Sequence, residues 1–230
     1  ARNGWIVIAS ARRYNLLYNL SKKCQKYKGS IIPLKLDITK LKTLRTKVNS
    51  IIKNYGVPDI IFLNAGTNNP NSKEIVNINE TRKIFEINFF GILNCLSIFL
   101  PIVKKKNVQI ILMSSVAGYR GLPYASAYCS SKAAVTTFAE AIAHQSQQLG
   151  IKIRLVNPGF IKTPLTDKNN FPMPMIISSE HAAKILYKKF LYSSSFEINL
   201  PALFCFIMKL LRIVPYVLYF NITKKLLKKL

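Results

Sequence analysis

The stretch "QIILMSSVAGYRGLPYASAYCSSK", residues 109–132, changes character twice. Ile110 to Met113 is a short run, apolar on both faces, as in a strand buried between layers. From Ser126 onwards, small residues and Lys recur with helical spacing and run on to Leu149. The stretch therefore reads as a strand, a turn carrying Ser115, and a helix carrying Tyr128 and Lys132. Four residues apart on a helix, Tyr128 and Lys132 project from one face. Spacing alone proves little in a chain with 11 tyrosines and 34 lysines and arginines. Tyr18 and Lys22 repeat it, but Trp5 stands thirteen residues before Tyr18, where Ser115 precedes Tyr128.

The same alternation extends along the chain. Strands are predicted at Ile6 to Ala9, Ile31 to Leu36, Ile60 to Leu63, Ile110 to Met113 and Ile151 to Val156, with a weak one at Phe196 to Ile198. Helices are predicted at Tyr14 to Tyr27, Lys40 to Asn54, Asn79 to Lys105, Ser126 to Leu149 and Ser179 to Leu191. Doubly apolar strands that alternate with helices imply an α/β, doubly wound (Rossmann-like) parallel sheet in three layers. Ile84 to Val103 is apolar enough to resemble a membrane span, but Glu86 and Asn88 interrupt it and strands flank it. It reads as a buried or interface helix.

In such a sheet, ligands bind beyond the carboxyl ends of the strands. The polar motifs collect there: Asp37 after the second strand, "NAG" (Asn64, Ala65, Gly66) after the third, Ser115 after the fourth and "NPGFIKT" (157–163) after the fifth. With "LDIT" (36–39) and Asn88 in "INFFG", these motifs in this order resemble the short-chain dehydrogenase/reductase family from about Gly4 to Pro201. The resemblance implies an oxidoreductase that interconverts a carbonyl and an alcohol by hydride transfer. It implies Tyr128 as proton donor or acceptor, Ser115 orienting the substrate oxygen, Lys132 on the nicotinamide ribose, and Asn88 completing a proton relay. Asp37 and Ile38 would meet the adenine, Asn64, Ala65 and Gly66 would line the cofactor cleft, and Pro158, Gly159, Ile161 and Thr163 would border the nicotinamide. A free tyrosine ionises near pH ~10, and a neighbouring Lys132 ammonium is expected to lower that value.

Cofactor choice is read in "ASARR" (9–13), where Ala11 replaces the acid that would bind a ribose 2′-hydroxyl. Ser10, Arg12 and Arg13 suit the 2′-phosphate, so NADP(H) is favoured over NAD(H). The family's glycine-rich turn and the strand before it have no counterpart. That strand is central, so the chain reads as a fragment whose N-terminus is cut. "ARNGW" (1–5) reads as a helix tail and glycine turn, followed by a buried strand. The loop after Thr163 carries Leu165, Phe171, Met173 and Met175, which suit a lipid-like substrate or else pack beneath the loop.

Composition bounds the rest. At 230 residues with 50% hydrophobic content, one catalytic domain is expected over 1–198. A net charge of +25 raises nucleic acid or an anionic membrane as a partner. The lysines are dispersed and no nucleic-acid module is recognisable, so no nucleic-acid function is expected. Cys24, Cys95, Cys129 and Cys205 have neither zinc-site nor disulfide spacing, which suits the cytoplasm. Residues 199–230 combine two apolar runs, hinged at Pro215, with basic residues and no acid. They suit either peripheral membrane contact or packing on the fold or on a partner subunit, the enzyme being expected as a homo-oligomer. The rival to catalysis is a non-catalytic scaffold of the same fold at an anionic membrane.

Overall fold

Strand β4 (Val108–Met113) explains why its sequence is apolar on both faces: Ile110, Ile111 and Leu112 are completely buried. Ile110 and Leu112 join the cluster formed with helices α4 (Gly91–Val103) and α5 (Ser126–Gln148). Ile111 points the other way, to Ala182 of helix α6 (Ser179–Tyr192). Parallel ladders tie β4 to β3 (Ile60–Leu63) on one side and to β5 (Ile151–Pro158) on the other. Strand β8 (Glu197–Leu200) then extends the sheet from β5. The computed structural model describes residues 1–70 and 74–227, the last three as backbone only.

A second parallel pair, β1 (Ile6–Ala11) and β2 (Ser30–Lys35), forms its own ladder. Among the described residues, no strand pairs with the free edge of β1 or with that of β3. The two sheets share one apolar cluster, in which Leu34 and Leu36 meet Leu63, Val48 of helix α2 (Leu41–Tyr55) and Ile98 of α4. Strand β1 is therefore not buried as the sequence suggests, and Ile6 is 62% exposed. Helix α1 (Tyr14–Cys24) buries no residue at all. The expected helix tail before β1 is a turn, with the Gly4 and Gly29 amides both donating to the Ala1 carbonyl. Gly4 has φ +86°, a conformation that suits glycine.

The single long helix expected at 79–105 is α3 (Ile78–Phe85) and α4, joined by a π-turn at Glu86–Phe90. Hydropathy does not report such a turn, because the side chains still follow a near-helical period. Among the described residues, only 78–103 is long and apolar enough to cross a membrane. Its Ile84, Ile92, Leu96 and Ile98 are buried within the fold, as in a core helix. The two-residue pair β6 (Ile161–Lys162) and β7 (Ile177–Ser178) is too short for any periodicity to predict.

On β5, Arg154 is fully buried, with no carboxylate partner among the described residues. Its guanidinium donates to the Lys189 carbonyl (2.9 Å), the Ser195 carbonyl (3.0 Å) and Gln109 Oε1 (3.2 Å), clamping the end of α6 to β4 and β5. The C-terminal segment is docked too. Pairing of β8 continues to Leu200, across the expected boundary at 198/199. Helix α7 (Ala202–Ile213) buries Phe204, Cys205 and Met208 against Val116 and Tyr119. Helix α8 (Tyr216–Leu227) follows the break at Pro215. Arg120 donates to the Leu211 and Val214 carbonyls at the end of α7 and lies 3.9 Å from the Tyr219 ring centroid.

Stability should follow this asymmetry. Ile110→Ala should lower the unfolding free energy by about 2–5 kcal/mol. Leu16→Ala, on the exposed face of α1, should stay within about 0.5 kcal/mol. Urea titration followed by circular dichroism measures both.

Candidate active site

At the carboxyl end of β4 the chain turns sharply. Ser115 is extended, and its Oγ accepts from the Ala117 amide (3.2 Å), capping a short 3₁₀ turn at Val116–Gly118. The same hydroxyl donates to the Pro158 carbonyl (3.4 Å), linking the ends of β4 and β5. Helix α5 begins eight residues after that turn and carries Tyr128 and Lys132 back to it. Lys132 is buried, and its Nζ donates to the Met113 carbonyl (2.8 Å). Its own carbonyl accepts from Ser114 Oγ (2.9 Å), which also pairs with Thr136 Oγ1 (2.8 Å). A Cβ on Gly118 would sit 2.9 Å from that carbonyl, so this close approach requires glycine.

The sequence thus brings Ser115, Tyr128 and Lys132 to one place, while Tyr18 and Lys22 form only an exposed cation–π contact on α1 (5.3 Å). Electrostatics depart from expectation. Burial pushes the Tyr128 phenol up to about 12, against the opposing influence of the nearby Ser115 hydroxyl. Lys132, 5.8 Å from the Tyr128 ring centroid, does not reverse this. Burial lowers its own value from the ordinary 10.5 to about 8, so the ammonium is itself destabilised. The phenol at rest is protonated and poised as a proton donor.

Asn88 is completely buried in the π-turn, and its side chain is fully engaged. Its Oδ1 accepts from the Thr67 amide (2.7 Å), and its Nδ2 donates to the Thr67 carbonyl and Ser131 Oγ (3.0 Å each). The amide group therefore holds the loop after "NAG" in place. That loop passes close by: a Cβ on Gly66 would lie 3.5 Å from both Asn88 Oδ1 and Lys132 Nζ. Asn64, Ala65 and Gly66 are exposed along it.

The residues suit a dinucleotide on several counts. Lys132 Nζ has three donors and gives one to Met113, so two remain for ribose hydroxyls. Asp37 Oδ1 accepts from the Thr39 amide (3.0 Å) and hydroxyl (2.8 Å), fixing its carboxylate at the end of β2. Burial would raise its pKa, but those bonds and the charges of Arg12 and Lys40 leave it lowered. Arg12 therefore stands within electrostatic reach of Asp37, and Ser10, Arg12 and Arg13 are exposed at the end of β1. Ile38 instead packs against the helix, since a Cβ on Gly91 would lie 2.5 Å from its Cδ1. Thr163 hydrogen-bonds through its amide to Thr166 Oγ1 (2.9 Å), closing a turn beyond Pro158, Gly159 and Ile161. Thr166 is the residue that sequence reasoning missed there. Among the described residues, no glycine-rich turn is present for the pyrophosphate.

A cavity of about 340 Å³ opens beside Tyr128, between Asn69, Ile75, Glu80 and Ile84 on one side and the Leu122–Ala127 loop on the other. Leu165, Phe171 and Met173 do not line it. Phe171 meets Phe160 edge to face (6.0 Å between centroids), and Phe160 packs at a tilt on Phe204 of α7 (5.5 Å), so this part of the apolar loop packs towards the C-terminal helices. A further network was invisible in the sequence. Glu197 Oε1 accepts from Asn157 Nδ2 (2.7 Å) and the Tyr119 hydroxyl (2.8 Å), joining β5 and β8 to the turn after Ser115.

The chain belongs to the short-chain dehydrogenase family, whose model matches residues 1–173. It is 31% identical over 202 residues to an uncharacterized oxidoreductase of Myxococcus xanthus, covering 87% of this chain and 79% of that one. It is 33% identical to a 3-ketodihydrosphingosine reductase of Bacteroides thetaiotaomicron, covering 68% and 58%. With an NADP-dependent 3-hydroxy acid dehydrogenase of Schizosaccharomyces pombe it shares 32% identity, covering 68% and 62%. The chain thus spans about three fifths of the length of the latter two relatives. The fold is that of a short-chain dehydrogenase from Streptomyces avermitilis, with TM-score 0.73, 22% identity and coverage of 90% and 83%. It is shared with an alcohol dehydrogenase of Thermococcus sibiricus solved with 5-hydroxy-NADP, with TM-score 0.74, 17% identity and coverage of 86% for both chains. The protein is accordingly an oxidoreductase of this NAD(P)-using family, acting on CH–OH or carbonyl groups.

Burial of Lys132 leaves a signature in stability. Its folded value, about 8, lies below the ordinary 10.5, so between these pH values the unfolded chain binds the extra proton. Stability from this residue is full above the upper value and falls as pH drops towards the lower. Lys132→Met should remove that rise, seen as a flatter melting temperature from about pH 8 upward than in the wild type.

Proposed function

We propose that the protein is an NADP-dependent oxidoreductase that interconverts a carbonyl and an alcohol on an apolar substrate. The observation that carries this reading is the convergence of Ser115, Tyr128 and buried Lys132, with Tyr128 lining a cleft. The nicotinamide, when bound, supplies or receives the hydride. Tyr128 holds the proton that reaches the substrate oxygen, and Ser115 orients that oxygen and eases ionisation of the phenol. Lys132 anchors the ribose, and its charge stabilises a developing phenolate. Asn88 keeps the 64–67 loop against Lys132. Arg12, with Arg13 beside it, favours the 2′-phosphate. Ile75, Ile84, Leu122 and Pro123 give the cleft apolar walls, which supports the choice of substrate class. Four free cysteines fit a cytoplasmic setting.

We also infer that one more parallel strand lies between β1 and β3, so that the described residues are part of a larger nucleotide-binding sheet. The unpaired edges of β1 and β3 and the exposure of Ile6 and Phe62 support this.

In the full-length enzyme, Tyr128→Phe should lower kcat for carbonyl reduction by at least about 10²-fold with NADPH binding retained. Tyr18→Phe should leave the rate unchanged. Unchanged turnover in the Tyr128 variant would overturn the assignment. Arg12→Glu should shift the ratio of kcat/KM values from NADPH towards NADH. Equal use of both cofactors by the wild type would remove the NADP reading.

A further inference from the structure

The C-terminal helices are docked by one side only. Along α7, Phe204, Cys205 and Met208 face the fold, while Leu203, Phe206, Ile207, Leu210 and Ile213 face solvent at helical spacing. The exposed row continues through the break at Pro215, with Ile213 78% and Val217 74% exposed, and on to Phe220. A patch of this kind on a water-facing surface marks an interaction site. Its charge selects among partners. Residues 199–230 contain no acid, and Arg212 and Lys224 are exposed beside the apolar row. A second copy meeting it about a two-fold axis would set the same basic residues against themselves, each chain carrying +25. A negatively charged surface with an apolar interior matches both features.

We propose that the α7–α8 face is a docking surface for an anionic bilayer. The helices lie in the headgroup region, their apolar row inserted and Arg212 and Lys224 at the level of the lipid phosphates. The surface is tied to the cleft: Arg120 grips the end of α7, and the Tyr219 hydroxyl donates to the Gly121 carbonyl, next to Leu122 and Pro123 of the cleft wall. The docked helices are thus joined to the cleft wall through Gly121. Delivery of substrate from the bilayer rests on the apolar-substrate reading, whereas the docking itself does not.

Flotation of the full-length protein with phosphatidylcholine vesicles, with and without phosphatidylserine, tests this at low and high salt. We expect at least about tenfold more protein bound to the anionic vesicles, with binding lost at high salt. The double variant Ile213→Glu/Val217→Glu should lose binding while its circular dichroism and melting stay unchanged. If it misfolds, Phe206→Gln/Leu210→Gln on the same row replaces it. Failure of the wild type to float, or persistent binding by a folded variant, overturns the proposal. So does a wild-type dimer that the variant disperses without any vesicle binding, which would give the face to a second copy. Turnover of a water-soluble carbonyl by the same samples reports on catalysis separately, so loss of one function leaves the other standing.

Discussion

The site depends on how closely α5 can approach the end of β4. Three short contacts fix that approach: Lys132 Nζ on the Met113 carbonyl, Ser114 Oγ on the Lys132 carbonyl, and Gly118 beneath that same carbonyl with no room for a Cβ. An ammonium is costly to bury without partners. Here the depressed pKa of Lys132 records that cost, and the backbone carbonyl of Met113 offsets part of it. With helix and strand joined at this point, Tyr128 and Ser115 are held side by side and Lys132 Nζ is fixed against the end of β4.

Partial burial sets the chemistry of Tyr128. Burial works against the phenolate and the ammonium alike, so the resting phenol stays protonated although Lys132 lies beside it. At rest the phenol keeps its proton.

Packing radiates from this point in two directions. The 3₁₀ turn after Ser115 carries Tyr119 to Glu197 and Arg120 to the end of α7, so the C-terminal helices are tied to that turn. Phe160 continues the contact from the β5 end to Phe204. On the other side, Asn88 in its π-turn ties the "NAG" loop to α5 through Ser131. The half-sheet of β1 and β2 stands apart, joined through the side chains of α2 and α4 and not through a ladder.

The sequence by itself determined the parallel α/β order, because a strand covered on both faces must be apolar throughout and Ile110 to Leu112 announce this directly. It also determined Ser115, Tyr128 and Lys132 as a set, since their spacing requires only one strand end and one helix. Tertiary structure decided what spacing cannot carry. Asn88 proved to be a buried brace, Thr163 part of a turn closed by Thr166, and Phe171 a packing residue, because each role depends on a partner distant in space or on local backbone geometry. The π-turn leaves the hydrophobic period almost unchanged, so composition gave no sign of it. The pKa of Tyr128 followed burial, a property of the assembled core that neither the tyrosine nor its neighbours in sequence possess alone.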